Sequence, residues 1–268
     1  MEKPHNLPHK PPLDREALRD VIDLALWAGQ MLLQNGSEAR RIEETVHRLG
    51  TGLGCDWLDI LISPNAIVAT TVSGDEFRTK IRRVVRTGVN MTIIDEVNHL
   101  TRQVDEGQLN RFEVRQVLER IDHLKPNYSR WTVVLMVGLG CGAFSRLFGA
   151  DWAVFAVTCV ASAIAMFIRQ ELHRRHFNNI LMVIITAFVA GVIASSATIY
   201  QWSDEPQLAL ASSVLLLVPG VPLINSAEDL IEGHIVMGLV RGFIGGLFAL
   251  GIAVGLLMAM ELMGVSGL

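Results

Sequence analysis

The sequence predicts a two-part chain. An α+β cytoplasmic domain of order ααβββαα over residues 14–130 precedes an all-α polytopic membrane domain of about five transmembrane helices over residues 131–268, with a flexible tail over residues 1–13. Three observations carry this prediction. Of the 268 residues, the first 130 hold 18 Lys/Arg and 19 Asp/Glu, whereas residues 131–268 hold only 5 and 8, so a soluble balance gives way to a stretch too apolar to dissolve as an ordinary domain. That second stretch contains five apolar runs near the ~20 residues that cross a ~30 Å hydrocarbon core. In the first stretch, hydrophobic spacing changes from helical to alternating and back to helical.

Each element has a local cause. Leu18, Ile22, Ala25, Leu26, Leu32 and Leu33 recur at helical spacing, and Asn35-Gly36 supplies a left-handed stop. Ser37 is placed to cap a second helix through Ile42, Val46 and Leu49, with Glu38 in its first turn and Gly50, Gly52 and Gly54 at its end. From Asp56 to Val85 the pattern is β-branched and alternating. Leu58–Ile62, Ala66–Val72 and Phe77–Val85, joined at Ser63-Pro64-Asn65 and Ser73-Gly74-Asp75, read as a three-stranded meander. Arg78, Lys80 and Arg82 share one face of its third strand, which either contacts anions or another subunit or stays solvated. Thr92 with Asp95 marks a third helix, and Asn110 with Glu113 a fourth over Phe112–Leu124, stopped before Pro126.

The apolar runs are 131–148, 152–168, 180–200, 208–224 and 235–260. Lys125, Arg130, Arg169, Arg174, Arg175 and Arg241 fall on one side of them and Arg146 on the other. The positive-inside rule therefore puts the N-terminal domain in the cytoplasm and the C-terminus outside, with Trp131, Trp152 and Trp202 at span edges. The fourth run holds Val218-Pro219-Gly220-Val221-Pro222, where two prolines remove backbone donors and interrupt the helix. Hydrocarbon tolerates such a break only where it is buried in protein or lines a wet cavity, and in transporters it marks substrate sites. A bend at the membrane edge is the plainer alternative.

Downstream, Asn225, Asp229 and Glu232 share a helical face. With Pro219, Gly220, Pro222 and Arg241 they form the candidate set for substrate binding or coupling, since carboxylates can carry protons and Arg241 can bind an anion or pair with Asp229. A solvated acidic loop beside a snorkelling arginine is the alternative. Gly238, Gly242 and Gly246 recur every four residues, so the fifth span can approach another helix closely, either within the chain or in a second subunit.

Other chemistries find little support. There is no basic block for nucleic acid, and Cys55, Cys141 and Cys159 lack metal-ligand or disulfide spacing. No nucleophile elbow, HExxH motif or P-loop occurs, and Asp95 and His99, one turn apart, suit a solvated pair better than catalysis. No catalytic residue, metal or cofactor is expected. Residues 1–12 have no apolar core of a signal or anchor.

Four stretches resemble the threonine/serine exporter (ThrE) family in its split, two-component form: Leu33-Gln34-Asn35-Gly36-Ser37-Glu38, Ser63-Pro64-Asn65-Ala66-Ile67-Val68-Ala69-Thr70-Thr71, Gly88-Val89-Asn90-Met91 and Ser213–Asn225. Together they sample nearly the whole chain, and residues 218–225 are the most specific. The resemblance implies a cytoplasmic domain followed by five spans, with a second block supplied by a separate small polytopic membrane subunit, because this chain reaches Leu268 after one block. It further implies a multi-pass secondary exporter of small carboxylates in the bacterial inner membrane, succinate foremost. Threonine/serine export and a non-transporting sensor or assembly role are the alternatives. The lipid bilayer and a higher oligomer complete the expected partners, and no residue-level mechanism comes with the family.

Overall fold

The computed structural model describes residues 11–85, 88–124 and 127–265. Most of the expected tail lies outside the described residues, as do Lys125 and Pro126. In chain order the elements are α1 (Arg15–Gln34), α2 (Ala39–Gly52), β1 (Trp57–Ser63), β2 (Ala66–Ser73), β3 (Glu76–Arg83), α3 (Met91–Asp105), α4 (Arg111–Asp122), α5 (Arg130–Leu147), α6 (Trp152–Arg174), α7 (Asn179–Ile199), α8 (Gln207–Ser213), α9 (Gly220–Ile231) and α10 (Ile235–Met263). A 3-10 turn, Leu215–Leu217, lies between α8 and α9. The chain divides into two compact units, Met1–Lys125 with Val221–Gly242, and Pro126–Gly220 with Phe243–Leu268. Residues 221–242, which the charge count alone assigns to the membrane half, thus group with the N-terminal elements.

The first unit has the expected ααβββαα order. Asp14 caps α1, accepting from the Ala17 amide at 2.7 Å, and the helix stops where Gly36 adopts φ +90°, a conformation that suits glycine. The strands form an antiparallel meander in the order β1-β2-β3. Ile67, Ala69, Thr71 and Ser73 of β2 are its buried positions, and the register sets Arg82, Lys80 and Arg78 opposite the first three. Opposed residues of an antiparallel pair share a face, so the basic stripe shares the face of the buried β2 positions, with Arg78 and Arg82 half-buried and Lys80 exposed. Asn110 and Glu113 form the expected capping box on α4, whereas α3 is capped by Asn90 in place of Thr92, its side chain accepting from the Thr92 amide. Leu18, Ile22, Leu32, Ile42, Leu49, Leu58, Ile67, Leu100 and Leu118 are fully buried in one core, which Met237 of α10 joins. Each such side chain contributes about 1.5–3 kcal/mol relative to exposure.

The second unit is built on small residues. A Cβ on Gly138 of α5 would lie 2.8 Å from the Cys159 carbonyl of α6, and one on Gly255 of α10 would lie 2.5 Å from the Ile184 carbonyl of α7. Ala161, Ala165, Ala187, Ala190 and Ala194 are fully buried, the close backbone packing used by helices in lipid. By length and composition, α6, α7 and α10 can cross a membrane, and a fourth span is counted if the pair 207–217 and 220–231, broken at Val218-Pro219, is one span. The count among the described residues is therefore three to four where the apolar runs suggest about five. The difference is α5, an 18-residue helix with Arg130 at its first position and Arg146 next to its last.

Candidate functional site

In the first unit, the cap of α2 comes from far along the chain. Glu38, in the place where Ser37 is expected, holds the N-cap position and makes no side-chain capping bond. The Ala39 amide instead donates to Asp229 Oδ1 at 2.8 Å, across 190 positions. Asp229 Oδ2 accepts from Arg241 Nη1 at 2.7 Å, and Arg241 Nη2 donates to the Ser37 carbonyl at 2.6 Å. Asn225 Nδ2 donates to the Gly36 carbonyl at 2.7 Å. The four-residue step from Asn225 to Asp229 on α9 is what lets one helix reach both ends of the 36–39 segment. Asp229 is 0% exposed and the Arg241 side chain 13%. A carboxylate at a helix N-terminus and a largely buried arginine are each tolerable because each carboxylate oxygen accepts a bond and the guanidinium pairs with that carboxylate and with the Ser37 carbonyl.

The glycines of α10 serve the same arrangement. A Cβ on Gly238 would meet Leu230 Cγ at 2.6 Å and the Ser226 carbonyl at 2.9 Å, and one on Gly242 would meet Ser226 Oγ at 2.7 Å. Ser226 Oγ in turn donates to the Gly238 carbonyl at 2.7 Å. Two of the three glycines expected to pack a subunit therefore pack on α9 of the same chain. A Cβ on Gly246 would have nothing within 4 Å among the described residues.

Glu232 does not join this cluster. It lies just past the end of α9, where Oε1 accepts from Arg40 Nη1 at 3.0 Å while Oε2 is buried with no hydrogen-bond partner among the described residues. Glu232 borders a polar pocket of about 370 Å³ with Arg40, Glu44, Thr45, Arg102 and Glu228. Arg40 bridges Glu44 and Glu232, whose hydrogen bonds raise its already high pKa. Sequence reasoning passed over Arg40, although its four-residue spacing from Glu44 is a legible pairing signal.

The helix break is less raw than two prolines suggest. Pro222 occupies the first turn of α9, where a missing N–H costs no intrahelical bond. Pro219 sits at the break itself and Gly220, the first residue of α9, donates to the Val218 carbonyl at 2.9 Å. Upstream, the Ser213 carbonyl accepts from Ser162 Oγ at 3.1 Å and the Leu216 carbonyl from Arg169 Nη1 at 2.9 Å. Arg169, which serves only as an orientation marker in the sequence, thus supports the broken segment together with Ser162. Asp95 and His99 stand 3.8 Å apart and both are well exposed, as a solvated pair should be.

The chain is 40% identical over 256 residues to the "Probable succinate transporter subunit YjjP" of Klebsiella aerogenes, covering 95% of this chain and 98% of that protein. It is 38% identical to the Escherichia coli K12 protein of the same name, with 95% and 99% covered. A more distant relative, the "Threonine/serine exporter" of Corynebacterium glutamicum, is 23% identical over 93% of this chain and 52% of its own length. No solved structure matches. Residues 23–263 match the family description "Putative threonine/serine exporter", and the chain belongs to this ThrE family of membrane exporters.

Proposed function

We propose that the chain is one subunit of a secondary exporter in the bacterial inner membrane that moves small carboxylates outward, succinate foremost, together with a second small polytopic membrane subunit. The observation that supports this most directly is the helix broken at Val218-Pro219, whose continuation α9 is held by Asn225, Asp229 and Arg241. In this reading Pro219, Gly220 and Pro222 shape the break. Asn225, Asp229 and Arg241 fix the position of α9, and Glu232, with its unbonded oxygen, carries the coupling proton. In this reading the N-terminal α+β domain, residues 14–130, faces the cytoplasm, about five spans cross the bilayer, and the C-terminus is periplasmic.

The names of the two closely similar relatives favour succinate as the substrate. Export of threonine or serine is the second reading, favoured by the Corynebacterium relative and by the mixture of arginines and glutamates around the Glu232 pocket, which suits a zwitterion. Proteoliposomes containing the chain and its partner, loaded with labelled succinate, threonine or serine under an imposed pH gradient, separate the readings. Succinate release that needs both subunits is the expected result. Release of amino acids alone selects the second reading, and no movement of any of the three overturns both.

A further inference from the structure

The basic stripe of β3 plays no part in export as proposed, yet the fold surrounds it with a pocket. Lys80 Nζ donates to Asp23 of α1. Arg82 Nη1 donates to the Asp23 backbone carbonyl at 3.2 Å, and its guanidinium carbon lies 5.8 Å from the centre of the Trp27 ring. Arg115 of α4 pairs with Asp20. Lys80, Arg82, Arg83, Arg115 and Trp27 border a pocket of about 430 Å³ in which Asp23 is the one carboxylate.

Arg82 is the informative member. It is half-buried, and no carboxylate among the described residues forms an ion pair with it. Burial lowers its pKa below the usual arginine value, with Asp23 and Asp122 opposing that from a distance. Arg78 Nε, on the same strand face, is buried without a hydrogen-bond partner among the described residues. A half-buried guanidinium given a carbonyl but no carboxylate is stabilised by an anion that enters from outside. A phosphate monoester brings about −1.5 to −2 charges on three terminal oxygens, which answers a surplus of cations converging from β3 and α4 and suits the guanidinium fork.

We propose that the pocket between α1, β3 and α4 binds a phosphoryl group, seated on Arg82 with Lys80 and Arg115 beside it and Trp27 as its apolar flank. The group belongs either to a soluble phosphate monoester or to a phosphomonoester lipid headgroup, and the site is separate from the residues assigned to export.

Calorimetric titration of the full chain in phosphatidylcholine nanodiscs tests this with three probes: inorganic phosphate, dihexanoyl phosphatidic acid and succinate. Saturable phosphate binding that weakens with salt is expected, with affinity about tenfold or more lower in Arg82→Gln and partly restored in Arg82→Lys. Arg48→Gln, in the other polar pocket, leaves it unchanged. Arg115→Gln gives a second, smaller loss and keeps the question open to measurement if Arg82→Gln fails to fold. Tighter binding of the phosphatidic acid than of phosphate assigns the lipid source, and equal binding assigns the soluble one. Absence of saturable binding by both phosphoryl probes, succinate binding as tight as phosphate, or unaltered affinity in a folded Arg82→Gln and Arg115→Gln overturns the proposal.

Discussion

The two sides of α9 hold the same kinds of side chain in opposite circumstances. Asn225, Ser226 and Asp229 are buried, and each is bonded to the 36–39 segment or to α10. Glu228 and Glu232 border the polar pocket, and Glu232 keeps one oxygen without a partner. Most buried polar groups are satisfied, and the bonds already made on the first side suit it to fastening. The unsaturated side can gain a proton or an anion without first breaking a bond. Asp229 and Arg241 form a clasp on the 36–39 segment, and under the proposed function a change of state belongs to Glu232 and its neighbours.

The strongest way to break this comparison is to open the clasp. Asp229→Ala leaves Arg241 buried without its counter-charge and the α2 amide without its cap, and Arg241→Ala strands the carboxylate. Each is expected to cost about 3–5 kcal/mol in denaturant unfolding of the detergent-solubilised chain. Because both remove one network, the double variant should cost less than the two together. Asp229→Asn, which keeps an acceptor for the Ala39 amide, falls between these and the wild type. If Asp229→Ala unfolds like the wild type and loses only transport, the clasp is a transport group and the two sides of α9 have been assigned the wrong way round.

Closer packing sharpens the same contrast along α10. Gly238→Leu must displace Leu230 or the Ser226 carbonyl, so it should destabilise by about 1–3 kcal/mol in the same assay. At Gly246 an added Cβ meets no described atom within 4 Å, so Gly246→Leu should shift the unfolding curve much less than Gly238→Leu. Loss of the co-purified second subunit from Gly246→Leu alone would locate the partner on that part of the helix.

Much of this was legible in the residues, and the failures share a cause. Helix starts at Asp14 and Asn110 and the meander of β1–β3 depend on neighbours within a few positions, which a sequence displays. The pairing of Asp229 with Arg241 was open to the same logic because both lie near the break. The cap of α2 was not, since Ser37 is chemically competent and only the fold shows Asp229 supplying the bond from 190 residues away. For the same reason Arg169 looked like a membrane-edge charge until its bond to the Leu216 carbonyl was seen. Long-range partners leave no periodic trace, so the sequence brings out Asn225, Asp229 and Arg241 as residues to watch but not the bonds that they make to the 36–39 segment.

The smallest expected change in stability carries the most functional information. Glu232→Gln keeps the side chain's shape and an acceptor for Arg40 but removes the ionisable carboxyl, and its partner Arg40 is exposed. Exposed pairs contribute little to folding, so the melting temperature should stay within error of the wild type, and Arg40→Gln should behave alike. Transport should separate the two variants. If Glu232 accepts the coupling proton, Glu232→Gln in proteoliposomes with the partner subunit abolishes uptake driven by a pH gradient while counterflow of labelled against unlabelled substrate continues, because exchange needs no net proton movement. Arg40→Gln leaves the carboxyl in place and retains the driven flux. Equal losses of driven flux and counterflow in Glu232→Gln would instead place the residue in substrate binding, and full activity in both assays would move the coupling group away from the open side of α9.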